Sequence, residues 1–334
     1  MPLVPKIHKR TIALIDSANL AFRYAHSFRG LMMKMPSGTE ISTGIIFGMF
    51  DTIWRLRELY KINNAIFVLE GPHETNPRRK HPIYKSKRAT SISVDITSEM
   101  LLLQELAPQL GMPVVIPQIG EADDGIGLLV KKLHYPFSHI LICSGDHDMQ
   151  VFLENSIKIV KSANKSEQNI ATLTTTDFWA EYGFDPKHFS LFLALVGDSS
   201  DCIPGIKGIG PKKGKYIFNE LTSRGIAITI PKIARELIKT YPNIIDGQSQ
   251  ESLEYQITEY YQLTKIRNNW PVDIILPTQP NMKQMIKLFD SMRMRNFIIH
   301  IGKIYDICNS FYKESLQIIP MISHSQGSKD DASL

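Results

Sequence analysis

The chain has 334 residues, 43% hydrophobic and 21% charged, ordinary globular composition and enough for one large domain or two smaller ones. Lys and Arg number 38 against 33 Asp and Glu; the formal charge of +5 is compatible with a nucleic-acid partner without demanding one. Cys143, Cys202 and Cys308 exclude a disulfide framework and lack zinc-site spacing, no apolar run is long enough to span a bilayer, and the first residues carry no secretory signal, so a reducing, cytoplasmic compartment is expected.

Thr11 to Ile15 is an apolar run ending at Asp16 and predicts a buried strand. Helical spacing predicts a helix over Ile45 to Leu59. Ala65 to Leu69 predicts a second buried strand, ending at Glu70. Residues 71–94 set Pro72, Pro77 and Pro82 among Arg78, Arg79, Lys80, Lys85, Lys87 and Arg88, an expected exposed and weakly patterned basic segment. Then come a helix over 97–110 with Thr97 or Ser98 as cap, a strand over Pro113 to Ile116, a helix over Glu121 to Leu133, and a strand over Ile140 to Cys143 ahead of Asp146. From about residue 174 the pattern is helical; glycines and lysines crowd residues 205–215, and longer helices follow between about 231 and 268. Residues 318–334 have little to bury and are expected to form a mobile tail.

Strands alternating with helices predict an α/β fold: a mainly parallel central sheet with helices on both faces. Such sheets bind ligands at the carboxyl ends of their strands. Asp16, Glu70 and Asp146 each follow an apolar strand, so they are expected to converge on one crevice. The wider acid set is Asp16, Glu70, Glu121, Asp123, Asp124, Asp146, Asp148, Asp198 and Asp201. Carboxylates gathered this closely repel and need cations to stay ionised. Mg²⁺ or Mn²⁺, with their preference for oxygen, supply that compensation. Two such ions about 4 Å apart can activate a water and stabilise the leaving oxygen of a phosphodiester.

Taken singly, each acid also fits a plain role. Glu121 to Asp124 suits a helix N-terminus, and Asp198 to Asp201 suits a turn or cap. His73, His81, His134 and His147 show no paired ligand spacing and are read as surface or core histidines. The stretch 203–214 has glycines at Gly205, Gly208, Gly210 and Gly214, with Lys207, Lys212, Lys213 and Lys215 around them. Backbone N–H groups of such a turn at a helix N-terminus hold phosphate, and the lysines add sequence-independent attraction, a helix–hairpin–helix-like arrangement. Arg78, Arg79 and neighbouring cations form a second basic patch, with Tyr84 beside Lys85 as a stacking surface for a displaced base.

Four motifs occur in order: IDSANLAFR at 15–23, GEADD at 120–124, SGDHD at 144–148 and GDSSDCIPGIKGIG at 197–210. Together they resemble the 5′-nuclease family, which includes the 5′→3′ exonuclease domain of bacterial DNA polymerase I and the phage flap endonucleases. Residues 179–184 and 271–301 add to a resemblance spanning about residues 10–305. It implies a nuclease core over 1–173 with an arch or clamp at about 71–97, then a helix–three-turn–helix element and C-terminal helices over 174–305. By position, it implies that Asp16, Glu70, Glu121 and Asp123 hold a first metal ion. Asp124, Asp146, Asp148 and Asp198 belong to a second metal site or its surroundings, with Asp201 acting through water. It places Lys85 on the scissile phosphate and Arg88 beside it, and K⁺ at the backbone carbonyls of residues 202–210.

The implied activity is structure-specific hydrolysis of DNA in replication or repair, as 5′→3′ exonuclease or 5′-flap endonuclease. The implied partners are flaps, nicks and 5′ junctions, with RNA primers in hybrids also admitted, and the chain acting as a monomer in a bacterial cell or phage-infected host. Two departures stand out. Position 70 is Glu where the family usually has Asp, so its ligation is expected to be altered or water-mediated. Residues 85–97 are rich in Ser and Thr without helical spacing, so disorder without DNA is expected there. No polymerase region follows, which suggests a stand-alone nuclease. The rival readings are an RNase of the PIN type, which lacks the glycine–lysine turn, and a non-catalytic junction-binding protein, which would have lost its ligands.

Overall fold

The computed structural model describes residues 10–28, 30–34, 38, 40–87, 96–135, 137–161, 171–245 and 247–323. β1 (Thr11–Asp16) is buried along its whole length, and α1 (Ser17–Ser27) leaves directly from its carboxyl end. A small antiparallel pair, β2 (Met32–Lys34) and β3 (Glu40–Ser42), precedes α2 (Gly44–Tyr60) and β4 (Asn64–Val68). α3 (Ile96–Gln109), β5 (Val114–Pro117), α4 (Ala122–Leu133), β6 (His139–Cys143), β7 (Ile157–Val160) and β8 (Thr172–Leu173) follow. Among the described residues the main sheet runs β8-β7-β6-β1-β4-β5 and ends on β9 (Val272–Ile275). β7 to β5 are mutually parallel; β8 and β9 pair antiparallel at the two edges.

The continuous apolar runs of the central strands are explained by burial on both faces. Ile12, Leu14, Ile66 and Val68 point into one core with Ile126 and Leu129 of α4. Ala13, Ile15, Ala65 and Phe67 point into the other, with Leu20 of α1, Met49 of α2 and Leu103 of α3. Period-two alternation thus loads both sides of one sheet. The predicted strands and helices of residues 11–143 therefore stand within a residue or two of their expected bounds, save that Thr97 and Ser98 lie inside α3 rather than capping it.

Beyond the sheet, α5 (Thr175–Tyr182), α6 (Phe189–Val196), α7 (Pro211–Ser223), α8 (Ile230–Thr240) and α9 (Gln250–Thr264) build the helical part. α10 (Met282–Ser291), α11 (Arg295–Ile299) and α12 (Ile301–Ser323) then return to the sheet. Asn64 of β4 donates from Nδ2 to the Phe311 carbonyl at 3.2 Å and to Ser315 Oγ at 2.7 Å.

Three expectations are corrected here. Residues 318–323 are not tail: they continue α12, with Ile318 and Ile322, one turn apart, wholly buried. Residues 324–334 lie outside the described residues. The basic segment is not simply exposed either. Residues 73–75 and 77–80 form short 3-10 turns, the second started by Pro77 with the Asn76 side chain accepting from Arg78 N, and Asn76, Arg78 and Tyr84 are buried. The expectation of disorder over residues 85–97 is corrected at its two ends, where 85–87 form a turn and 96–97 begin α3, while residues 88–95, with Arg88, lie outside the described residues.

Candidate active site at the strand ends

The parallel register of β6, β1 and β4 brings their carboxyl ends level, and the acids that follow them meet. Asp16 caps α1: Oδ1 accepts from Asn19 N at 3.0 Å, and Oδ2 accepts from Ser144 Oγ, beyond β6, at 2.6 Å. Glu70, just past β4, accepts from Ala122 N at 3.0 Å, at the N-terminus of α4. Asp16, Glu70, Glu121, Asp123 and Asp146 line one cavity of about 720 Å³, together with Lys85 and Arg79.

Burial pushes Asp16 up to about 7 despite its hydrogen bonds from Ser144 and Asn19, with Asp146 and Glu70 adding to the rise. Asp123 and Asp148 are driven well above the usual carboxylate range by burial and by Asp146. Burial also raises Glu70 and Asp201. Glu121 behaves differently. Against the cost of its burial, Lys85 and Arg78 hold it below the usual range.

A second group forms beside the first, where Asp148, Asp198 and Asp201 offer carboxylate oxygens within 4.8 Å of one another. Asp198 Oδ1 is satisfied by Ser200 N and Oγ, at 2.8 and 2.6 Å. Its Oδ2 and Asp148 Oδ1 are buried and accept no hydrogen bond among the described residues. Buried polar atoms are seldom left so. Orphaned carboxylate oxygens beside acids with raised pKa values are what a divalent cation would relieve, so the residues present fit such a group.

Lys85 joins the two groups. Its Nζ stands 2.6 Å from Glu121 Oε2 and 3.6 Å from Asp201 Oδ1, and its backbone N donates to the Asp201 carbonyl at 2.9 Å. Its φ of 53° is the left-handed region, an unfavourable setting that surrounding contacts must hold. Arg79 reaches Glu121 at 3.4 Å. The turn after α6 lies close by: Asp198 and Ile203 exchange both backbone hydrogen bonds, at 2.8 Å each. Gly205 has φ +67°, and a Cβ there would stand 2.3 Å from Gly197 N. Gly210 caps α7 and faces open space, with Lys207 and Lys212 exposed beside it.

A family model, the 5′-3′ exonuclease N-terminal resolvase-like domain, matches residues 11–183. The chain belongs to this 5′-3′ exonuclease family. The 5′-3′ exonuclease of Buchnera aphidicola subsp. Schizaphis graminum is 29% identical over 278 residues, covering 81% of this chain and 91% of that protein. That of Aquifex aeolicus is 21% identical and covers 89% of this chain and 96% of its own. Among solved structures, T5 5′-exonuclease with bound zinc matches at a TM-score of 0.52 and 19% identity, over 92% of this chain and 99% of that one. The flap endonuclease-1 of Methanococcus jannaschii matches at 0.51 and 15%, over 92% and 93%. The shared fold is the mostly parallel sheet flanked by helices. As a member of this family the chain is a metal-dependent 5′ nuclease.

Within this family member, several predicted site residues turn out to be framework. Asp124 faces away from the acid crevice. Both of its oxygens are taken: Arg78 binds them at 2.6 and 2.9 Å, Arg267 N donates at 2.7 Å and Glu121 N at 3.0 Å. It is therefore corrected from metal ligand to the anchor of a buried ion pair. Leaving either charge of such a pair alone costs on the order of 3–5 kcal/mol. Arg78 is corrected with it, being 6% exposed and committed to Asp124 rather than to DNA. Tyr84 is also 6% exposed and donates to Glu121 Oε2 at 2.8 Å, so it offers no free face to a base.

In the turn, Gly205 and Gly208 serve internal packing, since a Cβ on Gly208 would meet Ile244 at 2.7 Å. Lys213 donates to the Gly208 carbonyl at 2.8 Å and Lys215 to the Glu181 carbonyl at 2.9 Å. Ser144 and Asn19, which orient Asp16 and the loop after β6, went unnoticed in the sequence because Ser and Asn carry no charge signal. His147 was set aside for lack of paired spacing, yet it stands inside the second acid group, 3.3 Å from Asp148. The run of acid, histidine, acid at 146–148 was the available signal.

Proposed function

We propose that this nuclease hydrolyses DNA phosphodiesters at 5′ ends and 5′ single-strand/double-strand junctions, acting on nicks and 5′ flaps, with two divalent cations, Mg²⁺ or Mn²⁺. The convergence of acids from three parallel strand ends on one crevice, with Lys85 between them, carries this reading. Asp16, Glu70, Glu121 and Asp123 would hold one cation, and Asp146, Asp148 and Asp198 the other, with Asp201 acting through water. Bound there, the cations supply Lewis-acid activation of water and charge stabilisation at the leaving oxygen.

The protein's own residues do the rest. Ser144 and Asn19 fix the Asp16 carboxylate. The backbone N–H of Ala122 fixes Glu70, whose longer arm thereby gains an anchor at the start of α4. Lys85 is held at the crevice by Glu121 and Asp201, ready to exchange Glu121 for a phosphate oxygen and to stabilise the charge that develops on it. Arg79 adds a second cation at the cavity wall, and Arg88 is assigned the same neighbourhood. Lys207, Lys212 and the open N-terminus of α7 at Gly210 attract a duplex phosphate, and Lys213 and Lys215 reinforce the field. The carbonyls of residues 202–210 are assigned K⁺. RNA primers in hybrids are admitted as substrates, since phosphate contacts do not read the base. We assign a monomer in a reducing cytoplasm, in keeping with the free, buried Cys143 and Cys308.

The test is a 5′-flap duplex in Mg²⁺ with wild type and with Asp146→Ala plus Asp148→Ala. Cleavage by the double variant is expected to fall by on the order of 10²-fold or more while DNA binding in EDTA persists. Cleavage by the folded double variant at the normal rate would overturn the assignment.

A further inference from the structure

His147 lies in the second acid group in an unusual way. Its Nε2 stands 3.3 Å from Asp148 Oδ1 and 3.7 Å from Asp198 Oδ2. Those are the two buried oxygens that accept no hydrogen bond among the described residues. The Asp198 side chain is only 2% exposed, so water has little access to it. An imidazole N–H donating here would satisfy one of them, and none does. His147 Nε2 therefore stands beside two carboxylate oxygens that lack a hydrogen-bond donor among the described residues.

Donors each about 2.1 Å from a metal stand roughly 3.0–3.4 Å apart at octahedral or tetrahedral angles. The 3.3 Å contact with Asp148 falls in that range, and the 3.7 Å contact with Asp198 lies just outside it. The other ring nitrogen, Nδ1, stands 3.6 Å from Asp146 Oδ1, beyond hydrogen-bond distance. The Phe189 ring meets His147 edge-on, with centroids 6.1 Å apart and planes at 85°, which limits rotation from the other side. The backbone assists as well. Asp146 caps the 3-10 turn His147–Phe152 by accepting from Asp148 N, so three consecutive side chains turn towards one site.

We propose that His147 joins Asp146, Asp148 and Asp198 as a nitrogen ligand of the second cation, through Nε2. The inference rests on the metal-site reading above and sharpens it. An all-carboxylate site suits Mg²⁺, which dehydrates reluctantly and takes oxygen; an imidazole shifts preference towards transition-metal dications. This site therefore takes Mn²⁺ in preference to Mg²⁺, and His147 sets the difference.

The experiment uses the full chain without DNA, titrated with Mn²⁺ or Mg²⁺ alone by calorimetry, with bound Mn²⁺ examined by pulsed EPR for imidazole ¹⁴N coupling. Wild type is expected to show the coupling. His147→Asn is expected to lose it and to bind Mn²⁺ on the order of tenfold more weakly, with Mg²⁺ affinity little changed. At 42% side-chain exposure, His147 can be replaced without unfolding the core. Coupling that is absent in wild type, or that survives in His147→Asn, overturns the proposal, as does an equal loss of Mn²⁺ and Mg²⁺ affinity. Asp198→Asn separates the two levels. If it removes Mn²⁺ uptake while His147→Asn changes nothing, the carboxylate site stands and His147 is no ligand. If neither variant alters Mn²⁺ uptake, the metal-site reading falls with it.

Discussion

At the scale of single residues, neighbours in sequence have opposite duties. Asp123 and Asp124 are consecutive acids at the start of α4, and a helix turns about 100° from one residue to the next. That rotation puts Asp123 in the acid crevice and Asp124 against Arg78. The sequence made both visible as acids, but telling them apart required knowing which side of α4 the strand ends lie on. The crevice acids also carry a cost. Asp16, Glu70, Asp123, Asp148 and Asp201 all have folded pKa values above their ordinary ones. A carboxylate raised on folding stabilises the fold fully below its unfolded pKa, and that contribution is lost as pH rises through the folded value. His188 is pushed down by burial and opposes this trend, one group against five. Carboxylates held below their ordinary values, such as Glu121, make their contribution mostly below pH 5. The metal-free chain is therefore expected to melt at lower temperature at pH 8 than at pH 5, and Mg²⁺ is expected to restore more at pH 8. Differential scanning calorimetry in EDTA and in Mg²⁺ checks this; a melting temperature that rises from pH 5 to pH 8 without metal would contradict it.

At the scale of elements, legibility followed burial. β1, β4, β5 and β6 were readable because strands covered on both faces must be apolar throughout. β9 was not. Val272–Ile275 is half-exposed, stands between Pro271 and Pro277, and is strand only because β5 offers it an edge. α12 was hidden too: Pro320 and the polar residues after it masked Ile318 and Ile322. The glycine turn was legible as a motif but not in its division of labour. Gly205 holds a left-handed φ with backbone atoms packed where a Cβ would go, whereas Gly210 has ordinary φ and nothing nearby. Gly205→Ala is expected to destabilise the fold by about 2 kcal/mol or more and to weaken duplex binding. Gly210→Ala, which meets no atom and loses only a glycine N-cap, is expected to cost less, about 1 kcal/mol or under. Urea denaturation with a duplex-binding assay tests the pair, and equal stability of the two variants would sink the distinction.

At the scale of the whole molecule, the chain closes on itself. The C-terminal part returns β9 to the sheet edge and α12 to the base of β4, while Arg267 N caps Asp124 at the start of α4. The crevice is thus braced by segments far apart in sequence, which a reading of local pattern does not reach. Many of the acids are gathered in that crevice, so a chain of net charge +5 presents a more basic surface elsewhere, suited to drawing in a polyanion. The strand-end acids and the polarity of the chemistry have different warrants: geometry supports the first, and family membership supports the second. No described helix is long and apolar enough to cross a membrane. The most direct test is cleavage mapping of flap, nicked and blunt duplexes labelled at either end, in Mg²⁺ and in EDTA. Cuts are expected only in the neighbourhood of the 5′ end or the 5′ junction, present in Mg²⁺ and absent in EDTA. Cuts that start from the 3′ end, or that persist without a divalent cation, would contradict it.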